Sequence, residues 1–187
     1  MSILSLEAEK NNEIKHFVNL CKSESGIHGF MLRDAHYKLG NILAKRMFND
    51  FSDKTDISVI VMMRAGLCFG LGIADKLEQL GINVSVIFHY ENCLPISTNK
   101  VIIVDAVINT GENIINFADK LISKNIIFAT NVISEKAVHK FKNKILYTVR
   151  ISEKNFKGAK VSAIKNGKGP DTGDRLFNTI ESFLESC

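Results

Sequence analysis

Three short loops contain residues whose types and spacing suit the binding of phosphate groups and sugar hydroxyls. In the first loop, residues 101–113 (VIIVDAVINTGEN), an apolar run leads to Asp105 and then to small and polar residues. If residues 109–113 turn into a helix, their backbone N–H groups point to one spot beside the positive end of the helix dipole, which suits a phosphate. The Asp105 carboxylate can accept hydrogen bonds from ribose hydroxyls or lie near Mg²⁺. Together they fit a ribose 5-phosphate.

A purely structural interpretation of this loop remains open. Thr110 or Asn109 would cap an ordinary helix after the strand, and Asp105 would be solvated. Two well-known phosphate-binding patterns, G-x-x-x-x-G-K-[ST] and G-x-G-x-x-G, do not occur in the sequence. The local residues alone do not decide between the two interpretations.

The second loop, RAGL at residues 64–67, follows the apolar run 57–63. The guanidinium of Arg64 presents a planar fork of donors that suits a diphosphate, and Gly66 allows the backbone to approach a ligand closely. The alternative is a surface arginine beside a helix N-terminus. Because the helix dipole disfavours a cation at that end, the pattern favours an anion held beside Arg64.

The third loop covers residues 166–179 (NGKGPDTGDRLFNT) and has three glycines, one proline and two acids within its first nine residues. This composition predicts a shaped loop, in which Asp171 or Asp174 caps the last helix. Taken alone, the loop fits a plain connection better than a binding site.

The elements that must position these loops alternate between strand and helix. Apolar spacing predicts two N-terminal helices, over 7–22 and 30–51, and later helices over 65–80, 113–123, 134–141 and 173–184. Strands are predicted at 57–63, 84–88, 101–104, 126–132 and 145–151. Repeated β-α-β units indicate a mostly parallel sheet with helices on both faces. Ligands bind such sheets beyond the carboxyl ends of the strands, where the strand order reverses, and the three loops are expected there.

Length and composition narrow the class of protein. The 187 residues, 45% of them hydrophobic, fit one domain, and the net charge of +4 is too small and scattered to predict nucleic-acid binding. No apolar run approaches the roughly 20 residues of a membrane helix, and the N-terminal residues lack a secretory signal pattern, so we expect a cytoplasmic protein. The spacing of the four cysteines, at 21, 68, 93 and 187, supports neither a zinc site nor a disulfide framework.

In their order along the chain, the three loops resemble the uracil phosphoribosyltransferases, a family of type I phosphoribosyltransferases. Residues 101–113 are similar to the motif that binds phosphoribosyl diphosphate (PRPP), and residues 64–67 to the diphosphate-binding loop. Residues 171–177 (DTGDRLF) resemble the uracil-binding segment. A single acid followed by a non-acidic residue, Asp105-Ala106, is closest to the uracil enzymes, whereas orotate and purine members usually carry two adjacent acids. The resemblance runs from about residue 62 to 179.

The resemblance implies an α/β fold: a type I phosphoribosyltransferase-like parallel sheet flanked by helices, with a small hood formed by terminal segments. It implies one domain over residues 1–187, with N-terminal helices at about 5–51, a core at about 57–151 and a base-recognition segment at about 160–179. The implied reaction, in pyrimidine salvage, is the transfer of phosphoribose from PRPP to a pyrimidine base. Uracil is the first choice, which gives UMP and diphosphate. A homodimer is implied, with no nucleic-acid or membrane partner.

The resemblance also implies site residues. Arg64 and Asp105 would be catalytic, and Mg²⁺ would be held mainly through PRPP rather than by a metal site of the protein. PRPP would be bound by Arg64, Ala65, Gly66, Asp105, Ala106, Val107, Ile108, Asn109, Thr110, Gly111, Glu112, Asn113 and Asp171. The base would be bound by Ile164, Pro170, Asp171 and Thr172.

The sequence departs from the family pattern in two places, and alternatives follow. The family carries a long catalytic loop with a basic residue after the strand at 84–88, but residues 89–99 are short and contain no Arg or Lys, so that His89 is the candidate replacement. Near the base, Pro170 is inserted and residues 165–168 (KNGK) replace a hydrophobic sequence. The alternatives are a PRPP- or nucleotide-binding regulatory protein without catalysis, or a phosphoribosyltransferase for another base.

Overall fold

A computed structural model of the protein describes residues 3–49, 51, 56–89, 98, 100–121, 125–153 and 170–179. Within these residues the strands form one sheet, and all of its pairs are parallel, as predicted. The strands are β1 (Ile3–Ser5), β2 (Ile57–Met62), β3 (Val84–His89), β4 (Lys100–Ile108), β5 (Asn125–Ser134) and β6 (Ile145–Ser152).

Helices cover both faces of the sheet, which confirms the predicted α/β architecture. They are α1 (Asn12–Cys21), α2 (Gly29–Phe48), α3 (Leu67–Gln79), α4 (Glu112–Ala118), α5 (Glu135–Val138) and α6 (Thr172–Phe177). One buried cluster joins α1, α2 and α3 to the sheet through residues such as Leu43 and Phe69. A second cluster joins α4 and α5 to the opposite face through Phe117 and Ala137. None of the helices in the described ranges combines the length and apolarity needed to cross a membrane.

The strand order reverses between β2 and β4. Across the sheet the order is β1-β6-β5-β4-β2-β3, so the chain leaves β2 for β3 at one edge and then returns to the other side of β2. In register, Val61 of β2 lies beside Val104 of β4. The residues that follow these two positions, including Arg64 and Asp105, therefore emerge at the same carboxyl edge of the sheet.

The N-terminal residues differ from the expected helix over 7–22. Ile3–Ser5 form an edge strand beside β6, which the sequence did not predict because three residues carry no pattern and depend on pairing with β6. Residues Leu6–Glu9 form a 3-10 turn, and α1 begins only at Asn12. The boundary lies there because the side chain of Asn11 caps α1, accepting a hydrogen bond from the backbone N–H of Glu13 at 2.8 Å.

Among the other boundaries that differ, three lie next to the predicted loops. Strand β4 continues to Ile108 because β5 pairs with it throughout, so Asp105 lies inside the strand rather than at its end. Helix α4 ends at Ala118, short of the predicted 123, and residues 122–124 lie outside the described part. Helix α6 ends at Phe177 because Asn178 adopts a left-handed conformation (φ 56°), and residues 180–184 of the helix predicted over 173–184 lie outside the described part.

Segments from both ends of the chain meet over the carboxyl edge of the sheet. We call the connection 22–28 together with residues 170–179 the hood. The guanidinium of Arg175, 4% exposed, donates hydrogen bonds to the backbone carbonyls of Lys22 at 3.1 Å and Ile27 at 2.8 Å. Arg33 on α2 donates to the carbonyl of Leu176 at 2.7 Å. A hood formed by terminal segments was expected, and these contacts hold it together.

Candidate functional site

A cavity of about 410 Å³ opens at the carboxyl edge of the sheet, where the strand order reverses. The turn after β2, the second half of β4 and the hood form its walls, so that the three loops singled out in the sequence meet here. It is lined by Ser23, Met63, Arg64, Ala65, Asp105, Val107, Asn109, Pro170, Asp171, Thr172, Gly173 and Arg175.

Strand β4 sends alternate side chains into this cavity, because successive residues of a strand point to opposite faces. Asp105 and Val107 of β4 line it, and so does Asn109, directly after the strand. Ala106 and Ile108, which the resemblance also assigned to the site, are 0% and 2% exposed and belong to the core. Because β4 extends to Ile108, the side chains of the segment expected to bind PRPP alternate between the cavity and the hydrophobic core.

The remaining residues of that run form the turn into α4 and do not line the cavity. Gly111 precedes the helix with φ 76° and no side-chain cap, so neither Thr110 nor Asn109 is the cap residue. The Thr110 hydroxyl accepts a long hydrogen bond, 3.4 Å, from the N–H of Glu112. The Glu112 carboxylate is exposed and forms an ion pair with Lys140 at 3.1 Å.

Asp105 has an unusual protonation equilibrium. Burial raises the pKa of its carboxyl to about 7, and hydrogen bonds from the backbone N–H groups of Val107 and Ala106 oppose the rise only in part. The contact with the Val107 N–H is 3.4 Å. A carboxyl group that titrates near neutral pH therefore lies in the wall of the cavity.

The turn after β2 holds Arg64 at the rim of the cavity. Its Nη2 donates to Oδ1 of Asp174 at 2.8 Å, and its Nη1 makes a longer contact of 3.4 Å with the Thr179 hydroxyl. The anion expected beside Arg64 is, in this structure, a carboxylate of the hood.

Gly66, in the same turn, packs closely on backbone of the chain itself. A Cβ at this position would lie 2.6 Å from the carbonyl oxygen of Met62 and 2.9 Å from that of Val104. This packing alone requires glycine, and the expected approach of Gly66 to PRPP stays a prediction.

The hood contributes the start of α6. Asp171 is the N-cap of this helix, and its Oδ1 accepts a hydrogen bond from the N–H of Asp174 at 2.8 Å. In return, Oδ2 of Asp174 accepts from the N–H of Asp171 at 3.1 Å, which completes a capping box. Capping by Asp171 was expected, and Pro170 and Thr172 line the cavity beside it. Ile164 lies outside the described residues, as does all of 154–169.

Four lining residues were not predicted: Ser23, Met63, Gly173 and Arg175. Gly173 and Arg175 belong to the motif at 171–177, and their spacing from Asp171 on a short helix could have identified them. Ser23 had no local signal, because the connection after α1 reaches the cavity only through its contacts with Arg175.

His89 does not supply the positive charge that residues 89–99 lack. Its ring lies against Phe117, with the ring centroids 4.0 Å apart. Burial, together with the nearby Lys120, lowers the pKa of the imidazole, so that it is neutral at pH 7. Residues 90–97 and 99 lie outside the described part of the chain.

Comparisons with known proteins agree on the family and the fold. A family model described as uracil phosphoribosyltransferase matches residues 36–179. The AQ2163 protein from Aquifex aeolicus is similar in structure over 94% of this chain and 98% of that one, with a TM-score of 0.70 and 19% identity. A hypoxanthine-guanine-xanthine phosphoribosyltransferase is similar over 74% of this chain and 87% of that one, with a TM-score of 0.51 and 15% identity. No curated protein matches the chain. At these identities the two structures show a shared fold.

Proposed function

Because the chain belongs to the uracil phosphoribosyltransferase family, we propose that it transfers phosphoribose from PRPP to uracil and releases UMP and diphosphate. Phosphoribosyl transfer to a nucleobase is the activity of the family, and the chain shares its fold with a hypoxanthine-guanine-xanthine phosphoribosyltransferase. The observation that carries the proposal is the single cavity of about 410 Å³ that unites the loop with Arg64, the strand with Asp105 and the helix start with Asp171.

In this proposal, residues on two sides of the cavity bind PRPP. The guanidinium of Arg64 contacts the diphosphate, and the Asp105 carboxylate accepts hydrogen bonds from the ribose hydroxyls. The 5-phosphate extends beyond the cavity to the adjoining turn into α4, where the backbone N–H groups that follow the cavity residue Asn109, up to residue 113, receive it. Asp171 approaches PRPP from the hood.

The base lies against the hood, beside Pro170 and Thr172, both of which line the cavity. Two features of the sequence support uracil as that base. The single acid of Asp105-Ala106 matches the uracil enzymes rather than the orotate and purine enzymes, and residues 171–177 resemble the uracil-binding segment.

The transfer needs little covalent help from the protein. Positive charge develops on the ribose and negative charge on the departing diphosphate, so the work lies in orientation and in charge stabilisation. Arg64 stabilises the leaving group, and Asp105 orients the ribose.

Mg²⁺ fits this site as a partner of PRPP. No group of three or more His, Cys, Asp or Glu that could hold a metal ion occurs in the part of the chain that the structure covers. Asp105 and Asp171 are cavity carboxylates that would hold Mg²⁺ together with the phosphates of PRPP. The ion supplies neutralisation of the charge on the diphosphate.

A panel of bases tests the proposal. Uracil, cytosine, orotate, adenine, guanine and hypoxanthine are each mixed with PRPP, Mg²⁺ and the protein, and the release of diphosphate is measured. We expect the fastest release with uracil. A purine or orotate as the best substrate would replace uracil in the proposal. Near full activity in a variant with both Arg64→Ala and Asp105→Asn would contradict the assignment of the site.

The second candidate function is a PRPP-binding regulatory protein without catalysis. The neutral His89 and the lack of Arg or Lys in residues 89–99 favour it, because no basic residue there can reach PRPP. Titration calorimetry distinguishes the two functions. Tight PRPP binding without release of diphosphate, for every base in the panel, would favour the regulatory protein.

We also propose that the protein is a homodimer, as its family resemblance implies. Light scattering coupled to gel filtration gives the mass directly, and twice the chain mass of 20.8 kDa is expected. A mass of one chain at micromolar concentration would contradict the proposal.

A further inference from the structure

Arg64 and Asp174 are joined although 110 residues separate them in the sequence. The contact of 2.8 Å between Nη2 and Oδ1 links the turn after β2 to the first turn of α6. It crosses the rim of the cavity, which Arg64 itself lines. The contact therefore connects the sheet side of the site with the hood.

The Asp174 carboxylate is fixed by its own helix as well as by Arg64. Oδ2 accepts the N–H of Asp171 at 3.1 Å, and Oδ1 accepts the hydroxyl of Thr179 at 3.0 Å. Its side chain is only 12% exposed. Together with the contact from Arg64, these hydrogen bonds hold the Asp174 carboxylate in one orientation.

Arg64 is the more exposed member of the pair, with 49% of its side chain accessible to solvent. An arginine at this exposure samples many rotamers unless a partner holds it. One donor of the guanidinium contacts Asp174, and a second makes the longer contact with Thr179. The guanidinium offers five N–H donors in a planar fork, so an anion in the cavity can be bound by the others while the pair remains intact.

We propose that Asp174 is a positioning residue for Arg64: its carboxylate, fixed by the capping box of α6, orients the guanidinium toward the diphosphate of a substrate in the cavity. This inference rests on the proposed function. Asp174 does not touch the substrate; it acts through Arg64. Binding of a diphosphate is thereby coupled to a formed hood.

The test is a double-mutant cycle read out as the dissociation constants of PRPP and of inorganic diphosphate, each measured with Mg²⁺ by titration calorimetry. We expect Asp174→Asn to weaken PRPP binding about tenfold and Arg64→Ala to weaken it by more. In the Arg64→Ala background, Asp174→Asn should change the affinity less than about twofold, because residues that act as one unit are not additive.

Two outcomes would overturn the inference alone. Equal weakening by Asp174→Asn in both backgrounds would mean that Asp174 acts through the hood and not through Arg64. Unchanged affinity in a folded Asp174→Asn variant would mean that Arg64 needs no partner. Failure of the wild-type protein to bind PRPP or diphosphate would instead overturn the proposed function, and the inference with it.

Two further variants guard the cycle. Thr179→Val removes the hydroxyl that contacts both Arg64 and Asp174 but keeps the capping box. We expect it to weaken PRPP affinity about two- to threefold, because this hydroxyl helps to hold the two side chains together. If Asp174→Asn does not fold, Thr179→Val takes its place, and an unchanged PRPP affinity in Thr179→Val would count against the inference. Glu9→Gln is the matched control, because it breaks a two-contact pair with Arg46 (2.8 and 2.6 Å) remote from the cavity. It should leave PRPP affinity unchanged.

Discussion

Gly40 of α2 and Gly72 of α3 place the backbones of these two helices in direct contact. A Cβ at residue 40 would lie 2.3 Å from the carbonyl oxygen of Phe69, and one at residue 72 would lie 2.2 Å from that of Tyr37. Only hydrogen fits at either position. Helix α2 follows the hood connection and α3 follows the Arg64 turn, so this contact fixes the distance between two walls of the cavity.

We predict that Gly72→Ala lowers the free energy of unfolding by about 2 kcal/mol or more, because the added methyl group meets rigid backbone and the helices must separate. Urea denaturation followed by circular dichroism measures the change. Glu78→Ala, at an exposed position near the end of the same helix, should stay within about 0.5 kcal/mol of the wild type. An equally small change for Gly72→Ala would contradict the prediction.

The raised pKa of Asp105 predicts a pH-dependent stability. Between the ordinary value of 3.8 and the folded value of about 7, the folded protein binds more protons than the unfolded chain. The stability contributed by Asp105 therefore falls as pH rises from 4 to 7 and stays reduced above 7. Asp105→Asn should raise the melting temperature above that of the wild type at pH 8, and this difference in melting temperature should become smaller toward pH 4. A lower melting temperature at pH 8 would count against the prediction.

The same carboxyl group predicts a pH effect on binding. If ionised Asp105 accepts the ribose hydroxyls, the affinity for PRPP should increase as pH rises through about 7. Because PRPP itself titrates, the wild type is compared with Asp105→Asn at each pH. The dissociation constant of the Asp105→Asn variant divided by that of the wild type should grow between pH 6 and 8. A constant ratio would argue that Asp105 does not contact the ribose.

His36 on α2 predicts the opposite dependence of stability on pH. Burial, followed by the charge of Arg175, lowers the pKa of its imidazole from 6.5 to about 3. Below pH 6.5 the unfolded chain binds the proton that the folded protein excludes, so stability is lost as the pH falls from 6.5 toward 3. His36→Gln should flatten this loss in urea denaturation between pH 6.5 and 4.5. His16→Gln, at an exposed position, should keep the wild-type slope.

Arg175 predicts how firmly the hood is held. Its buried guanidinium donates to backbone carbonyls of the connection 22–28, and lysine cannot make these contacts together. Arg175→Lys should therefore lower the free energy of unfolding by about 2 kcal/mol and speed tryptic cleavage after Lys22. Arg46→Lys on the exposed side of α2 serves as the control. An unchanged cleavage rate at Lys22 would show that other contacts hold the connection.

Local patterns were sufficient for much of this fold. The β-branched runs at 57–63 and 101–104, with a helix-like segment between them, predicted parallel strands covered on both faces, and the structure confirms this arrangement. Within the site, Arg64, Asp105 and Asp171 were identified through the resemblance of three short runs to the uracil phosphoribosyltransferases, and the structure gathers all three around one cavity. Such patterns are visible because each depends on residues that are neighbours along the chain.

Contacts between distant residues could not be predicted in this way. The strand Ile3–Ser5 exists only by pairing with β6, and β4 reaches Ile108 only because β5 lies beside it. Gly66 packs against the backbone carbonyls of Met62 and Val104, and the sequence did not predict this close contact. Ser23 lines the cavity because Arg175, more than 150 residues away, holds the connection that carries it by donating to the carbonyl of Lys22.

The sequence by itself determined the class of fold, the order of the elements and the three loops that meet at the site. The tertiary structure decided which residues of those loops face the cavity, that Arg64 is held by Asp174, and that the Asp105 carboxyl titrates near pH 7. The physical reason is the distance along the chain over which each effect acts. Periodicity and turn chemistry act over a few residues, whereas burial, ion pairing and pKa depend on every group that packing brings within a few ångströms.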